Sequence, residues 1–192
     1  MGQRYFLDAN VLVPARLRDV VLTIALAAPV EVHWSHDVLD EVTRNLPQSM
    51  AAASVAALLG RLEVALPRAN IGAVSQIPLD AGHTRINIKD RHVVIGAWRC
   101  QASLLVTDDQ NLRREVRSSC ARWLSAISSD VFLASQFAGD VPHVRASVVS
   151  MVEHRWQMLD VGERSSEEVF DLWLRRHQLT RAAEAFSASG WG

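Results

Sequence analysis

The sequence predicts an α/β protein: a three-layer α/β/α sandwich around a central parallel sheet, followed by a helical C-terminal extension. Three observations carry that prediction. Short apolar runs alternate with helix-period segments from residue 4 to about 109, a pattern that favours parallel strands joined by helical crossovers. From Asp130 onward the periodicity is almost wholly helical. A chain of 192 residues, 49% hydrophobic and 21% charged, is long and apolar enough for one domain with a substantial core plus a helical appendage. The expected division is a domain over 1–137 and an extension over 138–192 that packs on it or serves a partner.

The opening "RYFLDANVLV" is a short apolar run ending at Asp8, which predicts a strand and then a turn. Residues 15–28 are rich in alanine and leucine and predict a helix that stops at Pro29. "VEVHW" is a second strand. "SHDVLDEVTRNL" offers Ser35 as N-cap, with apolar residues at 38, 39, 42 and 46 in helical spacing. Residues 49–66, between Pro47 and Pro67, predict another alanine-rich helix, and "ANIGAVSQIPLDAG" an irregular stretch or weak strand.

"NIKDRHVVIGAW" then opens a helix with polar residues, and "SLLVTDDQNL" predicts a strand running into a polar turn. "NLRREVRSSCARWL" predicts a short helix before a loop. The later helices are "SDVFLASQF", "VPHVRASVVSMVEHRWQML" and "SSEEVFDLWLRRHQL", the last with Ser165 or Ser166 as N-cap and a capping-box glutamate. Disorder is expected only in the final "SASGWG".

A net charge of −1 means that any nucleic-acid partner is held by a local basic patch or by metal ions. Of the 20 basic residues 19 are arginine, Lys89 being the one lysine; arginine suits bidentate phosphate contact, but genomic base composition is the plainer cause. Cys100 and Cys120 form no CxxC, and no signal-peptide pattern precedes them. They read as buried free thiols in a reducing cytoplasm. No apolar run reaches the length of a membrane span.

Ligands of open parallel sheets bind beyond the carboxyl ends of the strands. "YFLD" ends in Asp8 and "LLVTDD" in Asp108 and Asp109, although acids are also common at such turns for local reasons. Asp90 shares a helical stripe with Val93, Val94 and Ala97, with Arg91 and His92 pointing elsewhere. It is either an N-cap or a carboxylate facing the crevice beside Asp8 and Asp109. Glu41 lies on the flank of an apolar arc and can reach inward, whereas Asp37 and Asp40 read as solvated. Two carboxylates about 4 Å apart repel by about 4 kcal/mol at an effective dielectric near 20. Four of them together call for protonation, arginine partners or a cation. Oxygen donors without a Cys or His set suit Mg²⁺ or Mn²⁺, ions that bind phosphates and activate water, so the natural guess is a magnesium-dependent nuclease.

"FLDANVLV", "WSHDVLDEV", "KDRHVVIGAW" and "LLVTDD" together resemble, in order and approximate spacing, the PIN-domain superfamily, closest to its bacterial VapC-like toxin subgroup. The resemblance covers residues 4 to 137; the later "SDVFL" and "SSEEVFDLWL" resemble that subgroup less specifically. It implies metal-ligating or metal-positioning roles for Asp8, Glu41, Asp90 and Asp109. Asn10 and Thr107 are then supporting residues that hold the acids, and Asp108 is the alternative to Asp109. Many relatives carry a further acid and an aromatic where this chain has Asn111 and Leu112, which weakens the fourth acid. The resemblance further implies Mg²⁺-dependent endoribonuclease activity, the toxin role in a type II toxin–antitoxin system, a small antitoxin partner and a homodimer.

RNA must also be held. Arg113, Arg114 and Arg117 lie just downstream of the fourth acid, placed either to bracket a phosphate backbone or to form a solvated helical face; Arg16 and Arg18 follow the first motif. His92 reads as structural or substrate-adjacent, and His33 with His36 lacks a third zinc ligand. No G-x-x-x-x-G-K-[ST], G-x-G-x-x-G or G-x-S-x-G occurs. The rival enzyme is an aspartyl phosphatase with Asp8 as nucleophile, which Asn10 weakens because a second acid is wanted there. The rival without turnover is an RNA- or partner-binding module of the same fold.

Overall fold

A computed structural model of the chain describes residues 2–76, 85–139, 142–156 and 164–189. They fall into two compact units, Met1–Ala15 with Val30–Ile127, and Arg16–Pro29 with Ser128–Gly192. The expected division was a single cut at residue 137. In the structure residues 16–27 of one helix, and the helix 129–138 that spans residue 137, group with the later helices.

The first unit is built on four strands, β1 (Gln3–Leu7), β2 (Val30–His33), β3 (Leu104–Val106) and β4 (Ser125–Ile127), in the order β2-β1-β3-β4. All three pairings are parallel, with Tyr5 opposite Val32 and Leu104, and Leu104 opposite Ser125. An all-parallel sheet with helical connections is the α/β class expected, and is consistent with a three-layer sandwich. β4 was not expected, because three residues carry no alternation to read. The irregular 69–82 stretch contributes a bridge from Asn70 to Trp34; its residues 77–82 lie outside the described ones.

Helix α1 (Ala9–Leu12) follows β1 directly. Helix α3 (His36–Asn45) begins where expected, with Ser35 Oγ accepting from Val38 N at 3.2 Å. Val38, Leu39 and Val42 are buried. Helix α4 (Ala52–Ala65) buries only Leu58 and Leu62. Helix α5 (Arg91–Arg99) buries five consecutive residues, Val93–Ala97, since it packs against both β1 and α3. The stripe read from sequence is therefore too narrow, and His92 faces α3. Helix α6 (Gln110–Ser119) follows β3.

Gly96 lets α5 approach the sheet. A Cβ there would stand 2.6 Å from Cε2 of the fully buried Phe6. Gly96→Ala is expected to lose about 1–3 kcal/mol by overpacking, despite the better helix propensity of alanine. Chemical denaturation should show it, with part of the loss recovered when Phe6→Leu is added.

The second unit is helical: α2 (Ala15–Ala27), α7 (Ser129–Ala138), α8 (Pro142–Arg155), α9 (Ser166–Arg176) and α10 (Thr180–Ala188). Phe137, Phe170 and Phe186 meet edge to face at 4.8–5.9 Å, and Trp156 and Trp173 extend that core. Helix α9 carries the expected capping box, Ser165 with Glu168. Helix α10 lacks a cap of its own, and Ala182 N instead donates to the Asp130 carboxylate of α7 at 2.9 Å. Ser187 and Ala188 of the expected disordered end are helical, and residues 190–192 are outside the described ones. Both cysteines are free; Cys120 is buried, Cys100 only partly. Burial pushes the Cys120 thiol up to about 11, so it should resist alkylation at pH 8 until the protein unfolds. Among the described residues no helix is long and apolar enough to cross a membrane.

Candidate functional site

The two central strands end side by side, and their ends are tied together by side chains from opposite halves of the first unit. Asp8 N donates to Val106 O at 3.1 Å, and Thr107 N to Ile127 O at 2.9 Å. The Asp8 carboxylate accepts three hydrogen bonds, from Ala9 N at 2.7 Å, Asn10 Nδ2 at 2.7 Å and Thr107 Oγ1 at 2.6 Å. Thr107 Oγ1 in turn accepts from Asn10 Nδ2 at 3.0 Å and Asp109 N at 3.1 Å. Asn10 Oδ1 accepts from Asp108 N at 3.0 Å. The D-x-N turn and the T-x-D turn thus form one closed network, and Asn10 and Thr107 are the residues that close it.

Asp8 is 5% exposed, and burial raises its carboxyl to about 6, against the pull of its hydrogen bonds from Thr107 and Ala9. The Glu41 charge raises it further, while His92 lowers it. Glu41 reaches inward from α3, with Oε2 3.4 Å from His92 Nε2. That nitrogen is buried and makes no hydrogen bond.

Asp90 occupies the N-cap position of α5 but makes no side-chain capping bond. The local cap is Asn87, whose Oδ1 accepts from Lys89 N. The capping reading of Asp90 therefore fails. Its carboxyl is raised, chiefly by burial, opposed by Lys89 Nζ at 3.8 Å and reinforced by Asp109, Glu115 and Glu41. Asp109 caps α6, with Oδ1 accepting from Asn111 N at 2.7 Å and Leu112 N at 3.1 Å. Asp108 is exposed. Of the two, Asp109 is the one whose charge is felt at Asp90.

Asp37 differs from expectation: its carboxylate is half-buried and accepts from Val74 N at 2.6 Å, fixing the loop after α4. Asp40 is exposed, as expected. The three arginines separate. Arg113 Nη1 donates to Thr107 O at 2.6 Å and so braces the end of β3. Arg114 holds Asn111 Oδ1, and Arg117 is exposed in the last turn of α6. An open cleft of about 890 Å³ runs past Glu41, Asp90 and His92 and is edged by Arg44, Lys89 and Arg91. Sequence reasoning gave His92 no partner and missed Arg44, Lys89 and Glu115. Glu115 lies four residues past Asn111 on α6, and only the fold brings it to Asn87 N, 2.9 Å away.

The donor chemistry of the four acids suits a hard divalent cation: they offer oxygen donors, and Asp8 and Asp90 are each raised by burial and, more weakly, by the charge of Glu41. Among the described residues, no group of three or more His, Cys, Asp or Glu side chains stands close enough together to hold a metal ion. The fit is one of chemistry and neighbourhood, and coordination requires these side chains to draw together.

Comparison with known proteins gave no match, whether to a protein-family model, a curated protein or a solved structure.

Proposed function

We propose that this crevice binds a divalent cation, Mg²⁺ or Mn²⁺, and hydrolyses RNA phosphodiester bonds. The reading is that of a PIN-type endoribonuclease acting as a toxin, with a small antitoxin and a second copy of the chain as partners. The observation that carries it is the buried network of Asp8, Asn10 and Thr107, which holds one raised carboxylate beside Glu41 where the two central strands end.

Asp8, Asp90 and Asp109 would hold the cation, with Glu41 completing the set directly or through water. A bound Mg²⁺ or Mn²⁺ would polarise the phosphodiester and lower the pKa of a water. The chain's own residues do the positioning. Thr107 and Asn10 fix the Asp8 carboxylate, and the first turn of α6 fixes Asp109 through its backbone N–H groups. Keeping Asp8 ionised costs desolvation and, to a smaller extent, repulsion from Glu41, which a cation would offset.

One observation favours a second reading, an RNA- or partner-binding module without turnover: the carboxylates do not close to coordinating distance. The phosphatase reading is weaker, since both Asp8 oxygens already accept hydrogen bonds and residue 10 is Asn.

The test is cleavage of a mixed RNA substrate with Mg²⁺ or Mn²⁺ against EDTA, beside Asp90→Asn. Metal-dependent cleavage is expected for wild type and none for the variant. Asp90→Asn should melt at or above the wild-type temperature without metal, because it removes one repelling charge and no capping bond. Wild-type protein without cleavage, but stabilised by Mg²⁺, would point to the binding module.

A further inference from the structure

His92 carries a ring nitrogen that the fold buries and leaves without a hydrogen bond. The side chain, in the first turn of α5, is 15% exposed, and its Nε2 stands 3.4 Å from Glu41 Oε2 on α3. Both side chains line the larger cleft. The other charged groups on that cleft have partners of their own. Asp37 accepts from Val74 N, and Asp40 pairs with His36 at 3.8 Å. Lys89 faces Asp90 at 3.8 Å, Arg91 donates to Ile86 O, and Arg44 donates to Asp40 O. Among the described residues, the one ion-pair partner of the Glu41 carboxylate is His92.

We propose that His92 Nε2 and Glu41 Oε2 together hold the divalent cation, in a mixed nitrogen–oxygen site that prefers first-row transition ions, from Mn²⁺ to Zn²⁺, over Mg²⁺. This assignment rests on the cation-binding half of the proposed function and not on RNA cleavage. Two donor atoms 3.4 Å apart need no movement to share one ion. With bonds of about 2.1 Å to each, the angle at the metal is about 108°, close to tetrahedral. Left to themselves, the same two atoms form no hydrogen bond. A neutral imidazole offers a lone pair that suits the transition ions, whereas Mg²⁺ takes oxygen and keeps much of its water. No third donor among the described residues stands close enough to complete the site as it is. Asp8 is the group placed to join: its charge interacts with both Glu41 and His92, and its Oδ1 accepts one hydrogen bond and keeps a lone pair. Water fills the remaining positions.

The test uses the full, untagged chain with Mn²⁺ alone. Electron spin echo spectra of the Mn²⁺-loaded protein are expected to show modulation from a directly bound nitrogen, and His92→Gln to lose it. In titrations, His92→Gln should weaken Mn²⁺ by about tenfold or more, and Mg²⁺, read by its competition with Mn²⁺, by less than about threefold. Glu41→Gln should weaken both ions, and His36→Gln, at an exposed histidine, neither. No nitrogen modulation in the wild type, modulation that survives in His92→Gln, or Mn²⁺ binding by His92→Gln as tight as wild type would overturn the assignment. The wild-type spectrum decides the matter even if His92→Gln fails to fold. Mn²⁺ bound through His92 without RNA cleavage would leave this site standing and remove the nuclease reading. Metal-dependent cleavage without nitrogen coordination would do the reverse, and wild type that binds no Mn²⁺ would remove both.

Discussion

Asp8→Asn is expected to remove metal-dependent RNA cleavage, by about a thousandfold or more, while leaving a folded protein. Removing a single charge-stabilising group at a preorganised site typically costs a hundred- to a thousandfold, and Asp8 is also a proposed cation ligand. The amide oxygen of asparagine can still accept from Asn10 Nδ2 and Thr107 Oγ1, but its NH2 then meets the Ala9 N–H, where the carboxylate now accepts at 2.7 Å. That mismatch costs about 1–2 kcal/mol, set against relief of a buried charge, so the net change in stability should be small. Asp8→Ala is different. It strands three donors at the ends of β1 and β3 and should destabilise by about 3 kcal/mol or more. Cleavage assays on Asp8→Asn and urea melts on both variants check these outcomes. Cleavage that survives in Asp8→Asn would sink the nuclease site as drawn here.

Much of this was legible in the sequence, for physical reasons that differ by element. The strand at 3–7 and the helix at 36–45 are announced by local chemistry, an apolar run and a serine cap, and they form as read. Asp8 and Asp109 follow strands β1 and β3, Asp90 precedes α5 and Glu41 lies within α3; of the four, Glu41 and Asp90 line the larger cleft. Where sequence reading fell short, the deciding partner is distant along the chain. Helix α10 is capped by Asp130, and β4 exists because β3 offers it an edge. Arg113, read as either a phosphate ligand or part of a solvated helical face, donates to Thr107 O, a partner six residues back that its spacing did not announce. The stripe through Asp90 assumed one packing face, whereas α5 has two, which turns His92 toward Glu41. Whether Asp90 capped its helix was undecidable from type and position, because aspartate suits both roles; in the structure its side chain makes no capping bond to α5.

The free energy of unfolding of the metal-free protein should carry a penalty from Asp8 that grows as pH rises from about 4 to 6. Its folded pKa of about 6 lies above the ordinary 3.8, so the native state holds the proton more tightly than the unfolded chain. Below pH 3.8 the group is neutral in both states and costs nothing. Above pH 6 it is charged in both, and the full penalty, about 3 kcal/mol, applies. Glu31 and Glu167 are held low by arginine and act in the opposite direction. The informative quantity is therefore the difference between wild type and Asp8→Asn, which should favour the variant increasingly up to pH 6 and then level off. Mg²⁺ competes with the same proton. Its stabilisation, about 2.7 kcal/mol at a hundred times the dissociation constant, should be present above pH 6 and fade as pH falls through it. Urea melts of both proteins from pH 4 to 8, with and without Mg²⁺, measure both curves. A difference that stays flat across that range would mean that Asp8 titrates as a solvated carboxylate, and the cost of its buried charge that a cation is proposed to relieve would not exist.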